Sequence, residues 1–229
     1  MTGAVVEMPA FLLAGGRPSD GDAMARMLAH AYGQTPNPQV AYIGTANKDN
    51  PAFFAMMKAM LTKAGARKVV HVKLAKEKAD VAKAKAALEA ADVIFLSGGE
   101  VEDGMIWLKK HGLDGFLKEL HRQGKQFMGV SAGTKMLGDY WVRWEIEGDD
   151  DTSSLFTCLG IVPATFDVHG EDEDWVELKA ALKLLGDGAR GFGIPRGGMI
   201  SADGKGELAN IEKTMLTFVN DKGLIRLMQ

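Results

Sequence analysis

The 229-residue sequence predicts an α/β fold built on a mostly parallel sheet flanked by helices on both faces. Three observations carry this expectation. Short, solid apolar runs recur through the first half of the chain. Stretches with apolar residues at helical spacing separate them, which gives a βαβα order. Glycine pairs close several of the runs, as turns between strand and helix require. Strands of a parallel sheet are buried on both faces, so they read as unbroken apolar segments and not as alternating ones.

Phe11-Leu12-Leu13-Ala14 is the first expected strand and ends at Gly15-Gly16. Asp22 to Tyr32 reads as a helix with Met24, Met27, Leu28 and Ala31 on one face. Val40 to Ile43 is a second strand. Asn50 then offers a cap and Pro51 a first helical residue for a helix that stops at Gly65. Val69 to Val72 is a third strand, and the Ala- and Lys-rich segment from Glu77 to Ala90 an exposed helix. Asp92 to Leu96 is a fourth strand and runs into Ser97-Gly98-Gly99. Helices are expected over Glu102–Lys110 and Leu113–Gln123, and a fifth strand over Gln126–Val130.

Beyond Gly138 the pattern changes. Trp141 to Glu147 alternates like a strand, Gly148 to Ser154 reads as an acidic loop, and Ala164 to Val168 as a strand. Glu173 to Leu185 is helical by period. Thr214–Val219 and Leu224–Leu227, joined through Asn220-Asp221-Lys222-Gly223, read as a C-terminal β-hairpin. No repeat or linker divides the chain, so residues 1–229 are expected to form one domain.

Composition excludes several function classes. The hydrophobic fraction is 46%, enough for a continuous core without disulfide staples. The single cysteine, Cys158, cannot pair within the chain, and no metal-ligand spacing or phosphate loop is present, so no cofactor or metal is expected. A net charge of −3 gives no reason to expect nucleic acid or an anionic membrane as partner. There is no membrane-length apolar run, and the first residues lack a basic leader, so a cytoplasmic location is the expectation. The tail hairpin and the Trp141–Trp144 strand leave a homo-oligomer possible.

The sharpest motif is Gly129-Val130-Ser131-Ala132-Gly133, a G-x-S-x-G sequence between a strand and a helix-compatible stretch. A tight turn there lifts the serine hydroxyl above the sheet edge, and small flanking residues avoid clashes. The amide of Ala132 would face an oxyanion formed at Ser131, with the helix N-terminus adding a favourable field. The plain alternative is a glycine-bracketed turn with Ser131 as a helix cap. Gly98-Gly99 closes a neighbouring strand at the sheet edge where ligands bind in open α/β folds, and could supply a second donor.

A serine nucleophile needs a base. His30, His111 and His121 lie on or beside expected surface helices, and His71 lies inside a strand. His169 follows the Ala164–Val168 strand and precedes a polar loop, which suits a base. Many carboxylates surround this part of the chain, and their positions alone do not select an acidic partner.

Taken together, Phe95-Leu96-Ser97-Gly98-Gly99, the elbow, and Leu159-Gly160-Ile161-Val162-Pro163 leading to Asp167-Val168-His169 resemble the dipeptidase E and cyanophycinase family of serine peptidases. The resemblance implies a class I glutamine amidotransferase-like fold, Ser131 as nucleophile and His169 as base. It implies oxyanion donors at Gly99 and Ala132, with Gly98 and Glu100 beside the substrate. For the acid it implies Glu147, with Glu145 as neighbour. The glutamate that the cyanophycinase branch takes from a later segment is replaced here by Arg196 in Gly193-Ile194-Pro195-Arg196.

The expected substrate is therefore a small peptide. Where relatives carry arginines after the histidine, this chain has Gly170-Glu171-Asp172-Glu173-Asp174. Such a loop would repel an acidic side chain, so a neutral or basic substrate, or recognition of a free amine, is expected. A weak or inactive ligand-binding relative is the alternative, since a fold does not fix a function.

Overall fold

The computed structural model describes residues 8–16, 22–146 and 148–228. Its main sheet has seven strands. β1 (Ala10–Leu13), β2 (Gln39–Ile43), β3 (Lys68–Val72), β4 (Val93–Leu96) and β5 (Gln126–Val130) are mutually parallel. The antiparallel strands β10 (Met199–Ala202) and β11 (Leu208–Glu212) extend the β1 edge, giving the order β11-β10-β1-β5-β4-β2-β3. The sequence reading assigned neither of the last two strands.

Helices cover both faces, as the apolar runs required. On one face α1 (Ala23–Ala31) turns Met24, Met27, Leu28 and Ala31 onto Phe11, Tyr42, Phe95 and Met128. α2 (Pro51–Lys63) adds Met57 and Leu61, and Asn50 caps it by accepting from Ala52 N and Phe53 N. On the other face lie α3 (Val81–Glu89), α4 (Val101–Lys110), α5 (Asp114–Arg122) and α6 (Ala132–Leu137), whose leucines and methionines pack on Leu12, Ile43, Ile94 and Phe127. The helix expected from Glu77 starts four residues later, because the Asp80 side chain accepts from Lys83 N and caps it there.

The last third departs more. β6 (Tyr140–Trp144) pairs with β7 (Ser153–Thr157), whose first residues were expected to be loop. Antiparallel pairing supplies the order that this polar stretch lacks by propensity. β8 (Thr165–Val168) and β9 (Arg190–Ile194) are parallel and share a four-stranded second sheet with β12 (Leu216–Asp221) and β13 (Leu224–Met228). β12 and β13 form the expected C-terminal hairpin, with left-handed Lys222 (φ 52°) and Gly223 (φ 90°) between them. α7 (Val176–Leu185) covers this sheet through Leu178 and Leu182. It begins later than its period suggests because Asp174 and Trp175 both take positive φ.

Candidate active site

Strand order explains where the site lies. β5 runs between β1 and β4, so the residue after β5 emerges beside the carboxyl ends of both. That residue is Ser131, held at φ 53°, ψ −121° with its amide bonded to Leu13 O at 3.0 Å. A non-glycine residue at such φ is strained, as a nucleophile elbow demands.

The two glycines of the motif have separate steric reasons. A Cβ on Gly129 would stand 2.6 Å from Gly133 O, inside the turn itself. A Cβ on Gly133 would stand 2.2 Å from Leu96 O, so its absence lets α6 press against β4. The buried Thr134 hydroxyl donates to Leu13 O (2.8 Å) and Gly129 O (2.9 Å), tying the first turn of α6 to β1 and β5.

His169 follows β8, which is positioned by its parallel pairing with β9. Its backbone has φ 48°, and its amide donates to Ile194 O at 2.9 Å. The ring reaches back so that Nε2 stands 3.0 Å from Ser131 Oγ. The other histidines lie elsewhere. His71 Nε2 meets Asp49 Oδ1 at 3.2 Å, His111 Nε2 meets Leu74 O at 2.9 Å, His121 packs edge-on to Phe127, and His30 is exposed on α1.

Gly98 and Gly99 follow β4 on the opposite side of the elbow. A Cβ on Gly98 would lie 3.2 Å from Ser131 Cβ and 3.7 Å from its Oγ. Gly99 has φ 140°, and a Cβ there would meet Ala46 O at 2.1 Å, so only glycine fits. Among the described residues, the amides of Gly99 and Ala132 have no hydrogen-bond acceptor. Both residues line a cavity of about 370 Å³ that also contains Ser131, His169, Glu100, Trp141 and Arg196.

One wall of this cavity is a buried ionic cluster. Lys135, four residues after the serine on α6, is 8% exposed. Its ammonium donates to Asp167 Oδ1 at 3.0 Å and to Glu177 Oε2, which also accepts from Trp141 Nε1 at 2.9 Å. Burial pulls the Lys135 pKa down, but the carboxylates Asp167 and Glu177 outweigh it and hold it above the ordinary lysine value. Burial pushes the Asp167 carboxyl up; Lys135 opposes this and Glu177 adds to it. The sequence reading missed Lys135 and Glu177. A lysine between Thr134 and Met136-Leu137 in an otherwise buried helix was the available signal for the first. Glu177 carried none.

The acidic loop after His169 also borders the cavity. Arg196 Nη2 pairs with Asp172 Oδ2 at 3.0 Å, and Glu171 Oε1 accepts from Arg196 N at 2.6 Å. Glu100 and Glu173 line the cavity and form no ion pair among the described residues.

Glu147 lies outside the described residues. Its neighbour Glu145 is exposed at the end of the β6–β7 hairpin, bonded through its backbone to Thr152. The hairpin runs along α7, from Trp141 beside Glu177 to Asp150 paired with Lys183 at 2.7 Å. Among the described residues, no carboxylate is hydrogen-bonded to the His169 ring.

Comparison with known proteins agrees with this architecture. In fold the chain is similar to a peptidase from an acI-B1 actinobacterium, with a TM-score of 0.71 and 16% identity over 98% of this chain and 95% of that one. It is also similar to a putative peptidase E protein from Listeria monocytogenes EGD-e, with a TM-score of 0.65 and 17% identity over 90% and 98%. Among curated proteins it is similar to a cobyric acid synthase of Salmonella gallinarum, 28% identical over 129 residues, covering 52% of this chain. An imidazole glycerol phosphate synthase subunit of Herpetosiphon aurantiacus is 31% identical over 81 residues, 35% of this chain. The chain matches only 24% and 34% of the lengths of these two relatives. Residues 10–221 match peptidase family S51, and the chain belongs to that family of serine-type peptidases.

Proposed function

We propose that this peptidase cleaves an amide bond in a dipeptide or small peptide through an acyl-enzyme on Ser131. The observation that carries the reading is the 3.0 Å approach of Ser131 Oγ to His169 Nε2 at the edge of a cavity. Ser131 Oγ attacks the carbonyl carbon as its proton passes to His169 Nε2. The carbonyl oxygen becomes an oxyanion, which the amides of Gly99 and Ala132 would bind. His169 then protonates the leaving nitrogen, the C–N bond breaks, and the amine departs. In the second half His169 takes a proton from water, the resulting hydroxide attacks the ester, and the acid leaves as the proton returns to Ser131. α6 is only six residues long, so the donors and not a helix field carry the oxyanion.

For the acidic partner, Glu147 is proposed from the family resemblance.

The charge of the cavity supports a substrate that is neutral or basic beside this loop. Lys135 and Arg196 are already paired with Asp167, Glu177 and Asp172, while Glu100 and Glu173 are not. A like-charged substrate group at ~4 Å from one of these carboxylates would cost about 1 kcal/mol in water and about 4 kcal/mol near a protein surface. Glu100 as a carboxylate able to meet a substrate amine is part of this proposal, with Gly98 as the wall beside the nucleophile.

One experiment addresses both parts. A fluorophosphonate probe should label the protein, and Ser131→Ala should abolish labelling and turnover. Across Asp-X, Ala-X and Lys-X dipeptides, kcat/KM should be lowest for Asp-X by about tenfold or more, from the repulsion above. Labelling that survives Ser131→Ala would discard the nucleophile; preference for Asp-X would discard the substrate assignment alone.

A further inference from the structure

The Gly98–Gly99 peptide is held from behind by a side chain that no motif announced. Asn47 ends a short 3-10 turn, Thr45–Asn47, after β2. Its Nδ2 donates to Gly98 O at 3.0 Å, to Ser97 Oγ at 2.9 Å and to Tyr42 OH at 3.2 Å. The orientation of the amide is fixed independently, because Asn47 Oδ1 accepts from Asn50 N at 3.1 Å. Tyr42 OH in turn donates to Ser97 Oγ at 2.8 Å, and both of these side chains are buried.

The peptide unit is planar and trans, so the carbonyl of Gly98 and the N–H of Gly99 point in opposite directions. A donor that fixes Gly98 O on the Asn47 side therefore aims Gly99 N–H away from it, and Gly99 shares its cavity with Ser131. The remaining contacts remove other freedom. Glu100 N donates to Ala46 O at 2.7 Å, and that same oxygen occupies the space a Gly99 side chain would need.

The loop carrying Asn47 is itself anchored. Lys48 and Asp49 take positive φ of 58° and 55°. Asp49 Oδ2 accepts from Leu74 N (2.6 Å) and Ala75 N (2.7 Å), while Oδ1 meets His71 Nε2. Strained non-glycine backbone persists only where surrounding bonds over-determine it. Here those bonds tie the loop to the end of β3.

We infer that Asn47 is a positioning residue for catalysis: through Gly98 O it presets the Gly99 amide for the oxyanion. This rests on the reading of Gly99 as an oxyanion donor in the proposed acyl transfer. Asn47 touches none of the reacting atoms and does not itself line the cavity. Its effect should therefore fall on the transition state and spare ground-state binding.

Asn47→Asp keeps the shape but places an acceptor against Gly98 O. It should lower kcat by about 10²-fold, the scale of losing one oxyanion donor, and slow fluorophosphonate acylation in parallel. KM for the best dipeptide of the panel should change by less than about twofold, because uniform binding is untouched. Asn47→Ala should lose less, about tenfold, since the peptide is then only released and not repelled. Thermal unfolding is followed for each, and Asn47→Ala is read in place of Asn47→Asp should the latter not fold. A merely structural role would change the melting temperature, or kcat and KM together, and would not slow acylation selectively. Either folded variant with wild-type kcat and acylation rate, in a protein that Ser131→Ala inactivates, overturns the inference and leaves the acyl-enzyme reading standing. Activity that survives Ser131→Ala overturns the underlying reading and the inference with it.

Discussion

The two halves of the proposed catalytic pair are held by different physics. Both Ser131 and His169 have positive φ, 53° and 48°. On the serine side the strained backbone is enforced within six consecutive residues, where two glycines leave no room for a Cβ and Thr134 pins the turn to β1 and β5. On the histidine side the local constraint is looser, since a Cβ on Gly170 would meet Asp167 Oδ2 and Trp175 Cε3 only at 3.0 Å. His169 is held by one backbone bond to Ile194, by the pairing of β8 with β9, and by a cluster in which Lys135 joins Asp167 to Glu177. Steric enforcement is insensitive to pH and salt. A buried ionic brace depends on the protonation of its members, and screening reaches it less than it would a surface pair.

The largest effect on reactivity in this contrast is expected from Gly133→Ala. The added Cβ meets backbone atoms of Leu96 at 2.2 and 2.7 Å, which cannot yield as a flexible side chain would. We expect a stability loss of about 3 kcal/mol, the upper end of the overpacking range. Fluorophosphonate labelling should fall by about 10²-fold, the scale of a displacement near 1 Å. Denaturant titration and labelling rates check both. A folded, fully reactive variant would show that the elbow is not sterically enforced.

Lys135→Met is next. It leaves Asp167 and Glu177 buried or half-buried without their cation, and breaking such a pair costs about 3–5 kcal/mol. The pH dependence separates this from lost packing. Lys135 opposes the rise of the Asp167 carboxyl pKa, so its loss leaves that carboxyl higher still, and the folded variant takes up the proton more readily than the intact fold or the unfolded chain. Acidification therefore favours the folded variant, and the deficit seen at pH 7 should shrink as the pH falls toward 5. Urea unfolding at several pH values measures this; a deficit independent of pH would assign the loss to packing alone. For the intact protein the brace works at the other limit. The Lys135 pKa is raised on folding, so its contribution is complete below the unfolded value near 10.4 and is lost as the pH rises through the folded one.

The smallest expected effect is that of Glu145→Gln. Its side chain is exposed at the end of the β6–β7 hairpin, so kcat should change by less than about threefold, where loss of a true triad acid costs up to about 10⁴-fold. Steady-state kinetics decides between them. A large loss would make Glu145 the acid behind His169 and the histidine side as tightly specified as the serine side.

Much of the molecule was legible because its signals are local. The apolar runs of β1 to β5 are solid because those strands are buried on both faces, and the apolar face of α1 was readable residue by residue. The cap at Asn50, the stop at Gly65 and the turn at Lys222-Gly223 follow from backbone chemistry that needs no tertiary context. Illegible were β7, β9, β10 and β11, whose order comes from pairing partners remote in sequence, and the delayed start of α7, set by two positive-φ residues.

By itself the sequence determined the βαβα architecture and the placement of Ser131 at a strand-to-helix corner, because each is written in spacing and residue size over short stretches, and its resemblance to known peptidases pointed to the family. Only the tertiary structure decided that His169 Nε2 comes within 3.0 Å of that serine, that Lys135 bridges two carboxylates in the cavity wall, and that Asn47 grips Gly98 from behind. These contacts join segments tens of residues apart, and their geometry follows from strand order and helix docking, which residue spacing does not encode.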